Sequence, residues 1–276
     1  MKDKGNNRPN KHPITTVTQC RVPIFWPTNK PPRAKGVHNL VIENSYGKAT
    51  IENCKLTQVH RNLLDVILAY HHGLYFYQDG AAGFLVDLYE VQNILQIYAS
   101  NHTWVLKKLK DMMTTVFEVE TKEWMITGAI VRKHNYSKED AEHTPDKFGE
   151  NKLYYIILEA QFMEFFKLDT NVLYFEFVEK IINLKSAICQ ALVRFCLSHR
   201  QLNQDLEEVL KQIGVLRKDT HKREKSRILQ EIFLESEALI NEFGIQITPM
   251  KNKRLGIFYT QTKGVWFTKP KDLPQD

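Results

Sequence analysis

Residues 205–243 read DLEEVLKQIGVLRKDTHKREKSRILQEIFLESEALINEF, and this stretch decides the fold. Asp205 can cap a short first helix, and Gly214 ends it. After a basic connection, apolar residues recur at helical spacing over residues 222–243, which predicts one long amphipathic helix. The β-type runs FGIQITPM and RLGIFYTQ then predict a hairpin. An earlier apolar helix, residues 181–199, completes the order expected of a winged helix.

The first half of the chain repeats this order without repeating its letters. Residues 56–72 have helical periodicity, and the aromatic runs LYFY and GFLVDLY are typical of short strands. Two helices follow, EVQNILQIY and one that Asn101 can cap. The runs TTVFEVE and EWMITGAIVRKHNY then predict a second hairpin.

The fold class expected from this duplication is α+β, with two tandem winged-helix domains at residues 39–136 and 152–269. Residues 137–151 are polar and lack apolar periodicity, so they are predicted to be a linker. Residues 1–38 hold six prolines and eight basic residues against Asp3 alone. That composition is typical of a flexible basic arm, interrupted by an apolar cluster, residues 24–26, suited to docking on another surface. Residues 270–276 form a tail.

The overall charge narrows the class of partner. The 276 residues carry a net charge of +6 with a pI near 9.0, which favours an anionic partner such as nucleic acid or a membrane surface. No run of about 18 apolar residues exists, and the N-terminus lacks the apolar stretch of a secretory signal. These features predict a cytoplasmic protein that does not enter a membrane.

Neither the cysteines nor the known catalytic motifs indicate an enzyme. The four cysteines show no C-x-x-C spacing, which argues against a zinc ribbon or a dithiol site and predicts buried free thiols. No P-loop, H-E-x-x-H or G-x-S-x-G motif is present. His71 and His72 are adjacent, so their side chains diverge, and a polar helix end is the expected role. We therefore predict no catalytic residue, no metal and no cofactor.

Basic residues cluster at the start of the predicted long helix and at the tip of the hairpin that follows it. A recognition helix places its N-terminal residues against base edges while neighbouring Lys and Arg side chains neutralise phosphates. The same charges are also typical of a solvated helix face. The candidate DNA-binding residues of this half are Arg217, Lys218, Lys222, Arg223, Lys225, Arg227, Lys251, Lys253 and Arg254. A weaker patch in the first half comprises His102, Thr103, Lys107, Lys108 and Lys110.

The order of these segments resembles the winged-helix plasmid replication initiators. In the second half the resemblance is carried by KLYYIIL, FMEFF, INLKSAICQALVRFCLSHR, DLEEVLKQIG and KREKSRILQEIFLESEALINEFGIQI. In the first half, SYGKATIENCKLTQVHRNLLDVILAYHHG and EVQNILQIYASNHTWVLKKLKDMM resemble the IncQ-type initiator. The resemblance covers about residues 40–262.

The resemblance implies binding to repeated origin sequences (iterons) in double-stranded DNA, opening of adjacent AT-rich DNA, and recruitment of host replication proteins such as the initiator and helicase. It also implies a homodimer as one of two assembly states. By position, the resemblance assigns base reading to Lys222, Arg223, Ser226 and Arg227, and phosphate contacts to Lys251, Lys253 and Arg254 in the wing. It places Asn101, Thr103, Lys107 and Lys108 either against the other part of the repeat or near a dimer contact. A winged-helix transcriptional repressor is the alternative, and a nicking or primase enzyme is less favoured.

Overall fold

The computed structural model describes residues 12–29, 39–52, 56–97, 102–135, 153–217, 220–250 and 254–270. Within these residues the helices are α1 Val17–Arg21, α2 Gln58–Ala69, α3 Leu88–Ile94, α4 Thr103–Thr114, α5 Ala160–Leu168, α6 Val178–Asn183, α7 Ala187–Leu197, α8 Leu206–Gln212, α9 Lys222–Leu234 and α10 Ser236–Phe243. The strands are β1 Thr15–Thr16, β2 Asn39–Asn44, β3 Gly47–Glu52, β4 Gly73–Phe76, β5 Ala82–Asp87, β6 Phe117–Glu120, β7 Met125–Gly128, β8 Val131–Asn135, β9 Leu153–Leu158, β10 Asn171–Leu173, β11 Gln201–Asp205, β12 Gln246–Pro249, β13 Leu255–Thr260 and β14 Trp266–Thr268. The chain is therefore mixed α+β, as its periodicity predicts.

An antiparallel sheet of order β2-β3-β6-β7 lies in the first half. Its first hairpin turns tightly because Asn44 Oδ1 accepts the backbone N–H groups of Tyr46, at 2.8 Å, and Gly47, at 3.2 Å. A Cβ at Gly47 would lie 2.4 Å from the carbonyl oxygen of Glu120, so the turn requires glycine where β3 meets β6.

A second antiparallel sheet, of order β4-β5-β9-β8, corrects the predicted domain boundary. β9, which was expected to open the second domain, pairs with β5 from Ala82↔Leu158 to Asp87↔Leu153. The predicted linker, residues 137–151, lies outside the described residues and connects β8 to β9, which are themselves paired. An alternating apolar pattern identifies a strand but not the strand with which it pairs. The predicted boundary between the two domains therefore falls inside the β4-β5-β9-β8 sheet.

The N-terminal segment corrects the prediction of a flexible arm. β1 pairs with β10, which in turn pairs with β14, so that residues from both ends of the described chain share one sheet. Ile14, Val22 and Ile24 have no exposed surface. Burying such side chains gives about 1.5–3 kcal/mol each, which outweighs the proline-rich composition. Residues 12–29 are thus part of the core, whereas the rest of the predicted arm lies outside the described residues.

The second half follows the predicted order with one break. β11, β13 and β12 form an antiparallel sheet, and α8 ends at Gly214, whose φ is +75°. The long helix predicted over residues 222–243 is wrong, because the chain leaves helical geometry at Glu235 between α9 and α10. At this break Glu235 Oε1 accepts the backbone N–H of Ser186, the N-cap of α7, at 2.9 Å.

Polar side chains are buried between α2 and α7, where they connect the first and second halves of the chain. Asp65 is completely buried and lies 2.8 Å from Arg194 of α7 and 2.9 Å from Arg61 of α2. The hydroxyl of Tyr174 donates to the same carboxylate at 3.0 Å. Because a buried charge needs partners on every side, this network fixes how α2 and α7 pack.

The predicted free core thiols are confirmed where they are described: Cys20, Cys189 and Cys196 are buried and unbridged. Burial raises the pKa of Cys189 to about 12, so that thiol stays protonated and inert. Cys54 lies outside the described residues. In the described part of the chain, no helix has both the length and the apolar character needed to cross a bilayer.

Candidate nucleic-acid interface

α9 turns an apolar face inward and a basic face outward. Ile228 and Ile232 are buried, one turn apart, and anchor the helix. The exposed positions on the opposite side are Lys222, Arg223, Ser226, Arg227, Gln230, Phe233 and Leu234, and Glu224 in the first turn is exposed as well. The burial pattern therefore gathers on one solvent face four residues that the sequence assigned to base reading.

Lys222 and Arg223 are the cations of α9 that have no carboxylate partner among the residues that the structure describes. Both lie in the first turn, where the aligned peptide dipoles add partial positive charge. Arg227, one turn later, is partly neutralised by an ion pair with Glu231. Lys222 and Arg223 share the exposed first turn of α9 with the carboxylate of Glu224, and this is the end of a helix that a recognition helix presents to DNA.

Two other predicted DNA-binding cations are held by carboxylates of α8. Lys225 Nζ lies 2.7 Å from Glu207 Oε1, and Arg254 Nη1 lies 3.6 Å from Asp205 Oδ2. Asp205 also caps α8 by accepting the N–H of Glu207 at 2.8 Å. The sequence prediction missed both carboxylates, although an acidic first turn opposite a basic helix is a detectable signal. These cations must exchange a carboxylate for a phosphate before they can bind DNA.

Arg217 connects the site to the N-terminal segment. Its guanidinium stacks 4.7 Å from the ring centroid of Trp26, and its backbone N–H donates to Thr220 Oγ1 at 2.7 Å. Trp26 belongs to the apolar cluster expected to dock on another surface, and it docks within its own chain. The remaining candidates of this half, Lys218, Lys251 and Lys253, lie outside the described residues.

The candidate DNA-binding residues of the first half lie on different faces of α4. Thr103, Lys107 and Lys110 are exposed along one side of the helix. Lys108, which was grouped with them, lies on another side, 3.8 Å from Asp111 and 5.8 Å from the ring centroid of Trp104. Burial lowers the pKa of Lys108, and the negative charge of Asp111 offsets part of this effect. The structure thus separates Lys108 from its predicted neighbours, and Asn101 lies outside the described residues.

His102 and the two other candidate histidines occupy structural positions. His102 Nδ1 lies 2.8 Å from Gln92 Oε1, directly before α4. His71 packs edge-on against Phe84, and His72 Nε2 lies 2.8 Å from Glu90 Oε2. Among the described residues, no group of three or more His, Cys, Asp or Glu side chains is arranged to hold a metal ion.

Comparison with known proteins yields a match of fold. No family model and no curated protein sequence matches the chain. A crystal structure of selenomethionine-labelled domains 2 and 3 of RctB superposes with a TM-score of 0.53 at 12% identity, covering 92% of this chain and 99% of that one. This chain shares their fold. A second structure of RctB domains 2 and 3 has a TM-score of 0.48 at 13% identity and covers 88% of this chain and 95% of that one.

The match to RctB domains 2 and 3 covers 92% of this chain and therefore extends into both halves. At 12% identity the shared property is the path of the backbone and not the identity of any side chain. The roles of Lys222, Arg223 and their neighbours must therefore be argued from their own geometry.

Proposed function

We propose that this protein binds double-stranded DNA in a sequence-specific manner through two winged helices, with α4 and α9 as the recognition helices. α8, α9 and the β12–β13 hairpin supply the helix-turn-helix and wing of one unit. α3, α4 and the β6–β7 hairpin supply those of the other. The observation that carries the proposal is the exposed first turn of α9, where Lys222 and Arg223 have no carboxylate partner in the described residues.

The biological role proposed for this binding is replication initiation. The order of segments in this chain, which resembles that of the plasmid replication initiators, supports this role, and domains 2 and 3 of RctB share the fold. The protein then binds iterons, opens adjacent DNA and recruits the host initiator and helicase in the cytoplasm, without catalysis or a cofactor. Two winged helices about one helical turn apart fit direct repeats of about 20 base pairs. A homodimer belongs to the same proposal.

Footprinting on DNA from the protein's own replicon tests the binding claim. We expect protection of an array of direct repeats, with a periodicity of about two helical turns. The control is the same DNA with the repeats shuffled at constant composition. Equal affinity for the native and shuffled duplexes would refute sequence-specific binding.

A replication assay separates the initiator from a repressor with the same DNA-binding geometry. A plasmid that carries the repeats but lacks this gene should fail to replicate, and expression of the protein from a second plasmid should restore it. A repressor instead leaves replication intact and raises transcription of the adjacent gene. Incubating supercoiled origin DNA with the protein and Mg²⁺ should produce no nick.

A further inference from the structure

Charge divides sharply along the segment that α9 and α10 form. Residues 222–227 read KREKSR, with four basic residues against one glutamate. Residues 228–243 read ILQEIFLESEALINEF, with four glutamates and no Lys, Arg or His. The proposed contact with DNA uses the basic end, so the acidic end takes no part in it.

Three large apolar side chains at the acidic end face solvent. Phe233, Leu234 and Ile240 are 47%, 86% and 47% exposed, and Leu234 is the most exposed large apolar side chain that the structure describes. Other side chains anchor the same helices in the core, and these are Ile228, Ile232, Leu239 and Phe243. Single exposed apolar residues are ordinary, whereas several close together are typical of an interaction site. We call Phe233, Leu234 and Ile240 the apolar cluster.

Glu237 lies among the residues of the apolar cluster. α10 follows α9 almost directly, since the backbone N–H of Leu239 donates to the carbonyl oxygen of Glu235 at 2.9 Å. Glu237 comes four residues after Phe233 and three before Ile240, which are the spacings of neighbouring side chains on a helix. Its side chain is exposed and forms no ion pair with any residue that the structure describes. The apolar cluster therefore contains a carboxylate without a counter-charge in that part of the chain.

The charge of this end narrows the class of partner that fits the apolar cluster. Carboxylates repel the phosphates of nucleic acid and of anionic lipids. A protein surface that carries apolar side chains flanked by Lys or Arg complements both the apolar residues and Glu237. α9 has 13 residues and is therefore about 20 Å long. A partner at its C-terminal end thus leaves its first turn accessible.

We propose that the apolar cluster docks a partner protein through an apolar segment flanked by Lys or Arg side chains, with Glu237 pairing with one of those cations. Docking buries the exposed apolar surface and supplies the missing counter-charge. Simultaneous binding of this partner and DNA rests on the proposed function, whereas the docking itself does not.

A synthetic peptide of leucine and lysine, patterned as an amphipathic helix, is the probe, and fluorescence anisotropy measures its binding to the full-length protein. Leu234→Ser should weaken binding by about tenfold, the order expected for the loss of one buried leucine side chain. Leu168→Ser, at another exposed leucine, on α5, should bind the peptide as the unaltered protein does. Equal affinity in Leu234→Ser and the unaltered protein, or no binding to either, would overturn the proposal.

A reversal of charge tests the contribution of Glu237. The unaltered protein should prefer the lysine peptide to one with glutamate in place of lysine, and Glu237→Lys should reduce that preference several-fold. Glu123→Lys, an exposed change that alters the net charge equally, should keep the preference. The same preference in Glu237→Lys as in the unaltered protein would contradict the pairing. Self-association of the protein that Leu234→Ser abolishes would assign the apolar cluster to a second copy and overturn the proposal.

Footprinting separates this surface from the DNA-binding surface. Leu234→Ser should protect the repeats as the unaltered protein does, because the apolar cluster lies at the opposite end of α9 from Lys222 and Arg223. Loss of protection in Leu234→Ser would place the cluster against DNA and overturn the proposal. If the unaltered protein gives no footprint, the proposed function fails, and the peptide measurements still decide the docking surface.

Discussion

At the scale of single residues, the positions of carboxylates decide which cations can meet DNA. The sequence predicted a cluster of Lys and Arg residues but did not show which of them are free to bind a phosphate. That depends on carboxylate partners that are distant in the chain. Lys225 and Glu207 are 18 residues apart yet lie 2.7 Å from each other. On α4, Lys107 is exposed whereas Lys108 packs against Trp104, a difference of one position that helical periodicity alone could have indicated.

Removing the partner of Lys225 should strengthen DNA binding. Glu207→Gln frees the ammonium and removes a negative charge from the interface, so affinity for duplex DNA should rise and the salt dependence should steepen by about one phosphate contact. Fluorescence anisotropy over a range of salt concentrations measures both. Glu164→Gln breaks the pair with Lys167, whose length is also 2.7 Å, and should change neither. Unchanged affinity in Glu207→Gln would show that Lys225 does not contact DNA.

Removing the buried carboxylate should destabilise the whole fold. Asp65→Asn leaves Arg61 and Arg194 buried without their anion, and breaking such a pair costs about 3–5 kcal/mol. Urea unfolding followed by circular dichroism gives the change in free energy. The exposed Glu164→Gln variant again serves as the control, since surface pairs contribute little. A loss under about 1 kcal/mol would mean that the network does not hold the halves together.

At the scale of helices and strands, the sequence predicted which segments are helical or extended better than it predicted where each helix ends and which strands pair. The apolar period of residues 222–243 continues across Glu235, so nothing local indicates the break between α9 and α10. At that break Glu235 accepts a hydrogen bond from Ser186, the N-cap of α7, which is a partner distant in the chain. Likewise β9 has the pattern of a strand, but its pairing with β5 is a tertiary fact. Capping signals, in contrast, are local, and Asp205 and Gly214 lie where they were predicted.

α9 is expected to act as the reading element, and Arg223 is its best-placed side chain. Arg223→Ala should lower discrimination between the cognate repeat and a repeat changed at one base pair by about 1–3 kcal/mol. Competition binding with single-base-pair variants of the repeat measures this. Lys110→Ala, on the exposed face of α4, should leave discrimination at that position unchanged. Uniform weakening for all duplexes in Arg223→Ala would assign that residue to a phosphate.

At the scale of the whole molecule, the two halves are joined by the sheet β1-β10-β14, by pairing of β5 with β9, and by the Asp65 network. Composition and periodicity predicted two separable domains and a flexible N-terminal arm. Both predictions consider each segment by itself and contain no information on which segments pack together. The buried apolar residues of 12–29 show that prolines and bases do not prevent a segment from joining a core. The fold shared with RctB domains 2 and 3 covers 92% of this chain.

Buried histidines should make the whole fold sensitive to mild acid. Burial lowers the pKa of His12, His60 and His199 from 6.5 to about 4 each. Between these values the unfolded chain takes up protons that the folded chain does not, so stability is full above pH 6.5 and falls as the pH drops toward 4. Tm should therefore decrease steadily from pH 7 to pH 5.

A matched pair of variants tests the origin of this acid sensitivity. His60→Asn should reduce the slope of Tm against pH, whereas Gln161→Asn, an exposed change that removes no titratable group, should not. A Tm that is constant between pH 7 and pH 5 would contradict the burial of neutral histidines.

The first turn of α9, whose Lys222 and Arg223 have no carboxylate partner among the described residues, is proposed to meet the phosphates and bases of a DNA duplex, and the salt dependence of binding tests this most directly. The slope of log affinity against log salt should fall by about one in a Lys222→Ala, Arg223→Ala double variant relative to the unaltered protein, because Lys222 neutralises a phosphate while Arg223 reads a base, and binding at low salt should weaken. Lys167→Ala should leave the slope unchanged. An identical slope in the double variant and the unaltered protein would contradict the account, because α9 would then not lie against DNA.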